Sequence, residues 1–366
     1  MEGIYYSDYL QLDRVVNSQF PESDRLGRPA HDEMLFIITH QAYELWFKQI
    51  IHELKSIVEI FGQDAVEERS MGLVLHRLAR VKQIFGLLIN QVDIIETMTP
   101  LDFMDFRDLL VPASGFQSLQ FKQVEILLGV KRQQRIAADR EFFYSRLKQE
   151  DRDSLETTES DPNLFELTDA WLARIPFMRF ASFDFWAEYK LAVDRMLESD
   201  REIIKNNPTL TEREIQFQLN DLAGTELRFE SLLDKDKYQD LLEKGEVRFS
   251  HQAYLAALFI HLYRDEPILY TSFRYLTLMM DIAQLLHGWR QRHVTMVQRM
   301  LGKKIGTGGS SGHEYLKATA ERNQVFTDLT NIATFLIPKK DRPELPPQLT
   351  RALGFFLSGN AWNSDI

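Results

Sequence analysis

Nine histidines are the most versatile chemical groups in this chain: His31, His40, His52, His76, His251, His261, His287, His293 and His313. None belongs to an HExxH pair, and no two show a convincing zinc-ligand spacing. The sequence has no cysteine, which excludes disulfides, thiolate nucleophiles, Cys-ligated zinc and iron–sulfur clusters together. A lone histidine on a helix has two readings. It can be a hydrogen-bonded core residue, or the axial ligand of a haem iron, which needs one imidazole and no second ligand from the chain. His40 and His293 fall on apolar helical stripes. His40 follows Phe36 by four residues; His293 follows Trp289 by four and Leu286 by seven. Spacing alone leaves both readings open for both residues.

Two further features could carry chemistry. Phe103 and Arg107 lie one helical turn apart, so both can face one pocket. A guanidinium there offers a planar fork for a carboxylate. Beside Asp105 and Asp108, the same arginine also reads as a surface or helix-capping cation. The run Gly302 to Gly312, GKKIGTGGSSG, lacks the GxxxxGK[ST] spacing and the preceding strand of a phosphate loop. It reads as a linker, or as a lid whose glycines let backbone amides approach a ligand.

The elements that must position these residues are helical. Apolar residues recur at three- and four-residue spacing from Glu33 to Phe61, from about Ala65 to Met98, and from about Leu269 to Leu301. Shorter helical patterns are expected near 115–128, 182–204, 211–233, 251–263 and 324–336. No period-two alternation persists, so sheet content should be low. The acidic, polar segment Glu150 to Asn163 reads as a loop, and the four prolines between Pro338 and Pro347 exclude a continuous helix. No internal repeat or clear boundary divides the chain. The expected fold is all-α, a single large helical domain over residues 1–366.

Composition narrows the partners. With 44% hydrophobic and 27% charged residues the chain reads as globular, and 366 residues can bury a core without staples. A formal charge of −11 disfavours nucleic acid as a partner. The N-terminus MEGIYYSDYLQLDRVV lacks a signal-peptide pattern and no apolar run is long enough to span a bilayer, so no membrane partner and a cytoplasmic location are expected.

Four blocks carry a resemblance: YYSDYLQLDRVVNSQ (Tyr5 to Gln19), FIITHQAYELWFKQI (Phe36 to Ile50), TPLDFMDFRDLLVPASGFQSLQF (Thr99 to Phe121) and RHVTMVQRMLGKKIGTGGSSGHEYL (Arg292 to Leu316). In order and spacing they are similar to tryptophan 2,3-dioxygenases. The resemblance extends from residue 5 to about 337. It implies an all-α fold whose long helices enclose haem b, an L-tryptophan and O2 substrate pair, and a homotetramer. It implies that His293 ligates the haem iron and that Phe36 and His40 lie on the distal side. Phe103 and Arg107 would contact the substrate, with Arg107 pairing its carboxylate. Thr307, in the glycine loop, would lie near its ammonium, which favours the lid reading. Tyr6 and Tyr9 would enter a neighbouring subunit's pocket on an N-terminal arm, residues 1–19. His40 would hydrogen-bond the indole N–H, whether as a base or only to orient the ring.

Two positions depart from the family's usual pattern: Met34 where many members carry His, and Lys122 where many carry Arg. They leave room for a relative acting on a substituted tryptophan or indole. A non-catalytic haem-binding helical protein is a third reading, against which the retention of both histidines together with Arg107 argues.

Overall fold

The computed structural model describes residues 3–132, 135, 143–144, 147–176, 178–180, 183–302, 304 and 312–354. Thr307 and most of the glycine loop lie outside the described residues. The elements run in the order α1 Tyr6–Leu10, α2 Leu12–Val16, α3 Glu22–Arg25, α4 Glu33–Phe61, α5 Glu68–Ile95, α6 Pro100–Arg107, α7 Leu119–Leu128 and α8 Gln149–Ser160. There follow α9 Leu164–Leu172, α10 Phe185–Lys205, α11 Glu212–Leu233, α12 Lys235–Lys244, α13 His251–Leu262, α14 Pro267–Leu301, α15 Gly312–Arg322, α16 Thr327–Asn331 and α17 Pro347–Leu353. Among the described residues the one sheet is a two-stranded ribbon, Arg179–Phe180 against Phe183–Asp184. The fold is all-α, as the apolar periodicity implied.

Local signals explain where the helices begin. Thr99 caps α6: its hydroxyl accepts from the Asp102 N–H while the Asp102 carboxylate accepts from the Thr99 N–H, and Pro100 takes the first-turn position that needs no donor. Thr211 and Glu214 form the same reciprocal cap on α11. Ser118 opens α7 by accepting from the Phe121 N–H at 3.1 Å. Gly129 closes that helix at φ +116°, a conformation that a side chain would resist. The proline run stays non-helical until α17 starts on Pro347.

Two expectations need correcting. Glu150 to Asn163 is not a loop: α8 occupies Gln149–Ser160. Its sequence is polar because it buries only Leu155 and Thr158, and Leu155 completes a cluster with Ile126, Phe143, Tyr144 and Leu147. Glu150 and Asp151 in the first turn complement the helix dipole. The stretch 324–336 is not one helix. Phe326 adopts a left-handed conformation at φ +57°, after which α16 is only five residues long and passes into a 3-10 turn at Ile332–Phe335.

The residues form two compact units, and α5 and α14 each contribute to both. The first comprises residues 1–60, 76–164 and 281–325. It contains a cluster of Met98, Phe106 and Met300, against which Phe36, Phe103 and Met296 pack. The second comprises residues 61–75, 165–280 and 326–366. Its aromatic core includes Phe185, Tyr189, Phe259 and Tyr263. In that unit the buried Asp328 accepts from the backbone N–H groups of Arg248 and Phe249, and Asp169 accepts from that of Ser250, which fixes the chain just before α13.

Candidate functional site

A cavity of about 610 Å³ lies within the first unit. Four of the sequence-predicted residues line it: Phe36 and His40 from α4, Phe103 from α6 and His293 from α14. Residues remote in sequence meet here because each apolar stripe turns its face inward. Phe36 stacks on Phe103 with ring centroids 5.6 Å apart and lies 4.1 Å from the His40 ring. The capped start of α6 thus sets Phe103 against α4.

The two histidines differ in bonding. His40 Nδ1 lies 2.7 Å from the Phe36 carbonyl oxygen. A carbonyl can only accept, so Nδ1 carries the proton and Nε2 of the neutral ring is left as an acceptor. Burial pushes the His40 imidazole below its ordinary value, more than its backbone bond and Glu44 raise it. His293 stacks on Trp289 at 5.4 Å, and among the described residues its ring has no hydrogen bond. Burial, and secondarily the nearby His40, push it down to about 4. At neutral pH it presents an unprotonated imidazole in a largely apolar cavity.

One corner of the cavity is charged, and it escaped the sequence reading. Glu125, Lys122 and Arg290 all line it and are all buried. Lys122 Nζ lies 2.8 Å from one Glu125 oxygen, while Arg290 donates to the other. Burial alone would raise the Glu125 carboxyl, but Lys122, Arg290 and Arg135 outweigh it and hold it well below the usual carboxylate range. Arg290 and Glu125 are 165 residues apart, so no local pattern could have joined them. The i,i+3 pair Lys122–Glu125 was the one visible hint. Lys122, one of the two departures, is therefore part of the cavity wall, whereas Met34 sits exposed near the start of α4.

Three other predicted residues, Arg107, Tyr6 and Tyr9, are not among the described residues that line the cavity. Arg107 ends α6 one turn beyond Phe103, half-buried, and is not among the described residues that line it. Tyr6 and Tyr9 lie on α1 and are 75% and 71% exposed. Thr307 falls outside the described residues. No group of three or more His, Cys, Asp or Glu residues that could hold a metal ion occurs among the described residues.

With that geometry in place, comparison with known proteins is decisive. The family model described as tryptophan 2,3-dioxygenase matches residues 1–336. The chain belongs to the tryptophan 2,3-dioxygenase family. The tryptophan 2,3-dioxygenase of Alteromonas mediterranea is 49% identical over 357 residues, covering 98% of this chain and 99% of that protein. The enzyme of that name from Dictyostelium discoideum is 45% identical, covering 97% and 89% of the two chains. That from Xenopus tropicalis is 44% identical, covering 96% and 86%. Family membership extends through all the cavity-lining segments, including the charged corner.

Proposed function

We propose that this chain opens the indole ring of L-tryptophan with O2 to give N-formylkynurenine, with haem b as cofactor, whose iron His293 would hold in the cavity. The observation that carries the proposal is the pair of histidines on one cavity: His293 neutral, with no hydrogen bond to its ring among the described residues, and His40 with its tautomer set by the Phe36 carbonyl. Close relatives named tryptophan 2,3-dioxygenase support the substrate.

The residues present fit a haem. The cavity volume lies within the roughly 300–1,000 Å³ of small-molecule and cofactor sites. Phe36, Phe47, Phe121 and Trp289 give apolar walls, and Ser118 supplies a hydroxyl for a polar substituent. His293 provides a single lone pair suited to iron. When bound, haem supplies the binding and activation of oxygen.

The remaining roles belong to the chain. The Nε2 atom of His40 accepts a hydrogen bond from the indole N–H, and the ring of Phe36 limits how the indole can tilt. Arg107 pairs with the substrate carboxylate, and Thr307 lies near its ammonium. The aromatic walls exclude water, which strengthens each of these polar contacts. We assign the whole chain, residues 1–366, to one catalytic domain acting in the cytoplasm as a homotetramer. An aromatic arm left in solvent favours docking, and the exposed Tyr6 and Tyr9 support insertion of residues 1–19 into a neighbouring copy. No described helix is long and apolar enough to cross a membrane.

The test compares L-tryptophan with tryptamine, which lacks the carboxylate, in the reduced, haem-loaded protein. N-formylkynurenine is expected from tryptophan, with tryptamine turned over poorly. No ring-opened product from tryptophan, or equal efficiency with tryptamine, would overturn the reading.

A further inference from the structure

The charged corner does more than close the cavity. Arg290 lies one turn before His293 on α14, and its guanidinium has two acceptors. One nitrogen donates to the Glu125 carboxylate on α7, and the other donates to the backbone carbonyl of Asn323, the residue immediately after α15. Lys122 holds the second Glu125 oxygen at 2.8 Å. Glu125 is 2% exposed and Arg290 6%, so water does not replace these bonds when one breaks. A guanidinium at a helix C-terminus also satisfies a carbonyl that the helix leaves open and complements its dipole. Helix α15 is short and supplies Tyr315, Leu316 and Thr319 to the cavity wall. Its position therefore sets the width of the cavity on that side.

We propose that Glu125 is a positioning residue: by fixing Arg290 between α7 and the C-terminal end of α15, it holds the α15 wall of the cavity against α14. The bridge is a chain of three contacts, from Lys122 to Glu125, to Arg290, to the Asn323 carbonyl, across three helices with no covalent link near the corner. Glutamate is suited to the task because each of its oxygens engages a different cation. Glutamine can offer its oxygen to Arg290, but it turns an amide N–H₂ toward Lys122 and removes the carboxylate charge that both buried cations face. Lysine at position 290 keeps the charge but lacks the fork that spans two acceptors in fixed geometry. The bridge itself does not depend on the cofactor. Only its consequence for cofactor retention rests on the haem reading above.

The experiment is hydrogen–deuterium exchange, read by mass spectrometry, on the full-length wild type, Glu125→Gln, Glu125→Asp and Arg290→Lys. In Glu125→Gln, amides of residues 313–322 should exchange on the order of tenfold faster, as expected for loss of a charge-assisted bond, while those of α4 keep wild-type protection. Glu125→Asp, which restores the charge on a shorter stem, should recover part of that protection. Arg290→Lys should loosen the same segment, and it carries the test if Glu125→Gln does not fold. In haem-loaded protein, Glu125→Gln should also pass haem to apomyoglobin faster than wild type, followed in the Soret band. Failure of the wild type to bind haem would count against the haem reading and leave the exchange result to decide the bridge. Unchanged protection of 313–322 in a folded variant, or faster exchange spread evenly over the chain, would overturn the proposal.

Discussion

His40 and His293 face one cavity from two helices, and their ring nitrogens are in opposite situations. On the α4 wall, the Phe36 carbonyl claims Nδ1 of His40, and the ring is fixed as an acceptor with one orientation. On the α14 wall, His293 lies against Trp289 with no hydrogen bond to its ring among the described residues. Both rings are buried enough to stay neutral, yet the consequences differ. A neutral ring with its tautomer set is suited to orienting a substrate N–H. A neutral ring that keeps its lone pair in an apolar surround is suited to binding a metal. Apolar burial alone does not assign a histidine; the partner of its second nitrogen does.

The contrast can be broken by substitutions on the α4 and α6 side. Arg107→Ala has the largest expected effect there. Removing one partner of a desolvated charge pair costs about 2–5 kcal/mol, so kcat/KM for tryptophan should fall by roughly one and a half to three and a half orders of magnitude. Haem content should stay at the wild-type level, because the proposed role of Arg107 is toward the substrate carboxylate and not toward haem. Parallel loss of haem and turnover would erase the distinction.

His40→Ala should do less. A neutral hydrogen bond contributes about 0.5–1.5 kcal/mol, so a fall of roughly threefold to tenfold in kcat/KM is expected, with haem retained. Complete inactivity with normal tryptophan binding would instead make His40 an obligatory base.

The smallest effect is on pH dependence. Burial lowers the folded pKa of His40 below the unfolded value near 6.5, so the acceptor remains available as pH falls through that value. The His40 contribution to kcat/KM should be constant from neutral pH down past 6.5, and be lost only when the pH falls through the lowered folded pKa. The ratio of wild-type to His40→Ala kcat/KM isolates it. A ratio that already declines above pH 6.5 would contradict the burial argument. Linkage runs in the same direction: a histidine kept neutral in the fold contributes stability that is present above the unfolded pKa and lost as pH falls toward the folded one.

Much of this was legible in the sequence, and the gaps have physical causes. The three long helices were visible because each buries a continuous apolar stripe, which the 3.6-residue period exposes. Helix α8 was not, because it buries little beyond Leu155 and its charge pattern resembles a solvated loop. Phe36, His40, Phe103 and His293 reach one cavity, as expected from their placement on inward faces and from the family resemblance. Their different hydrogen bonding was not legible, since whether a carbonyl four residues back is taken depends on rotamer and not on spacing. The Lys122–Glu125–Arg290 corner was hidden because its members are charged, and charge in sequence suggests surface. Only the three-dimensional gathering of buried cations around one carboxylate reveals it.

The division of labour between the two imidazoles is the central claim to test. Stoichiometric haem titration of the wild type, His40→Ala and His293→Ala, followed by the Soret band in parallel, tests it. Wild type and His40→Ala should saturate with the same spectrum, whereas His293→Ala should lose most of the band. A His293→Ala protein with wild-type haem content and iron spectrum, or a His40→Ala protein that loses both, would contradict the account.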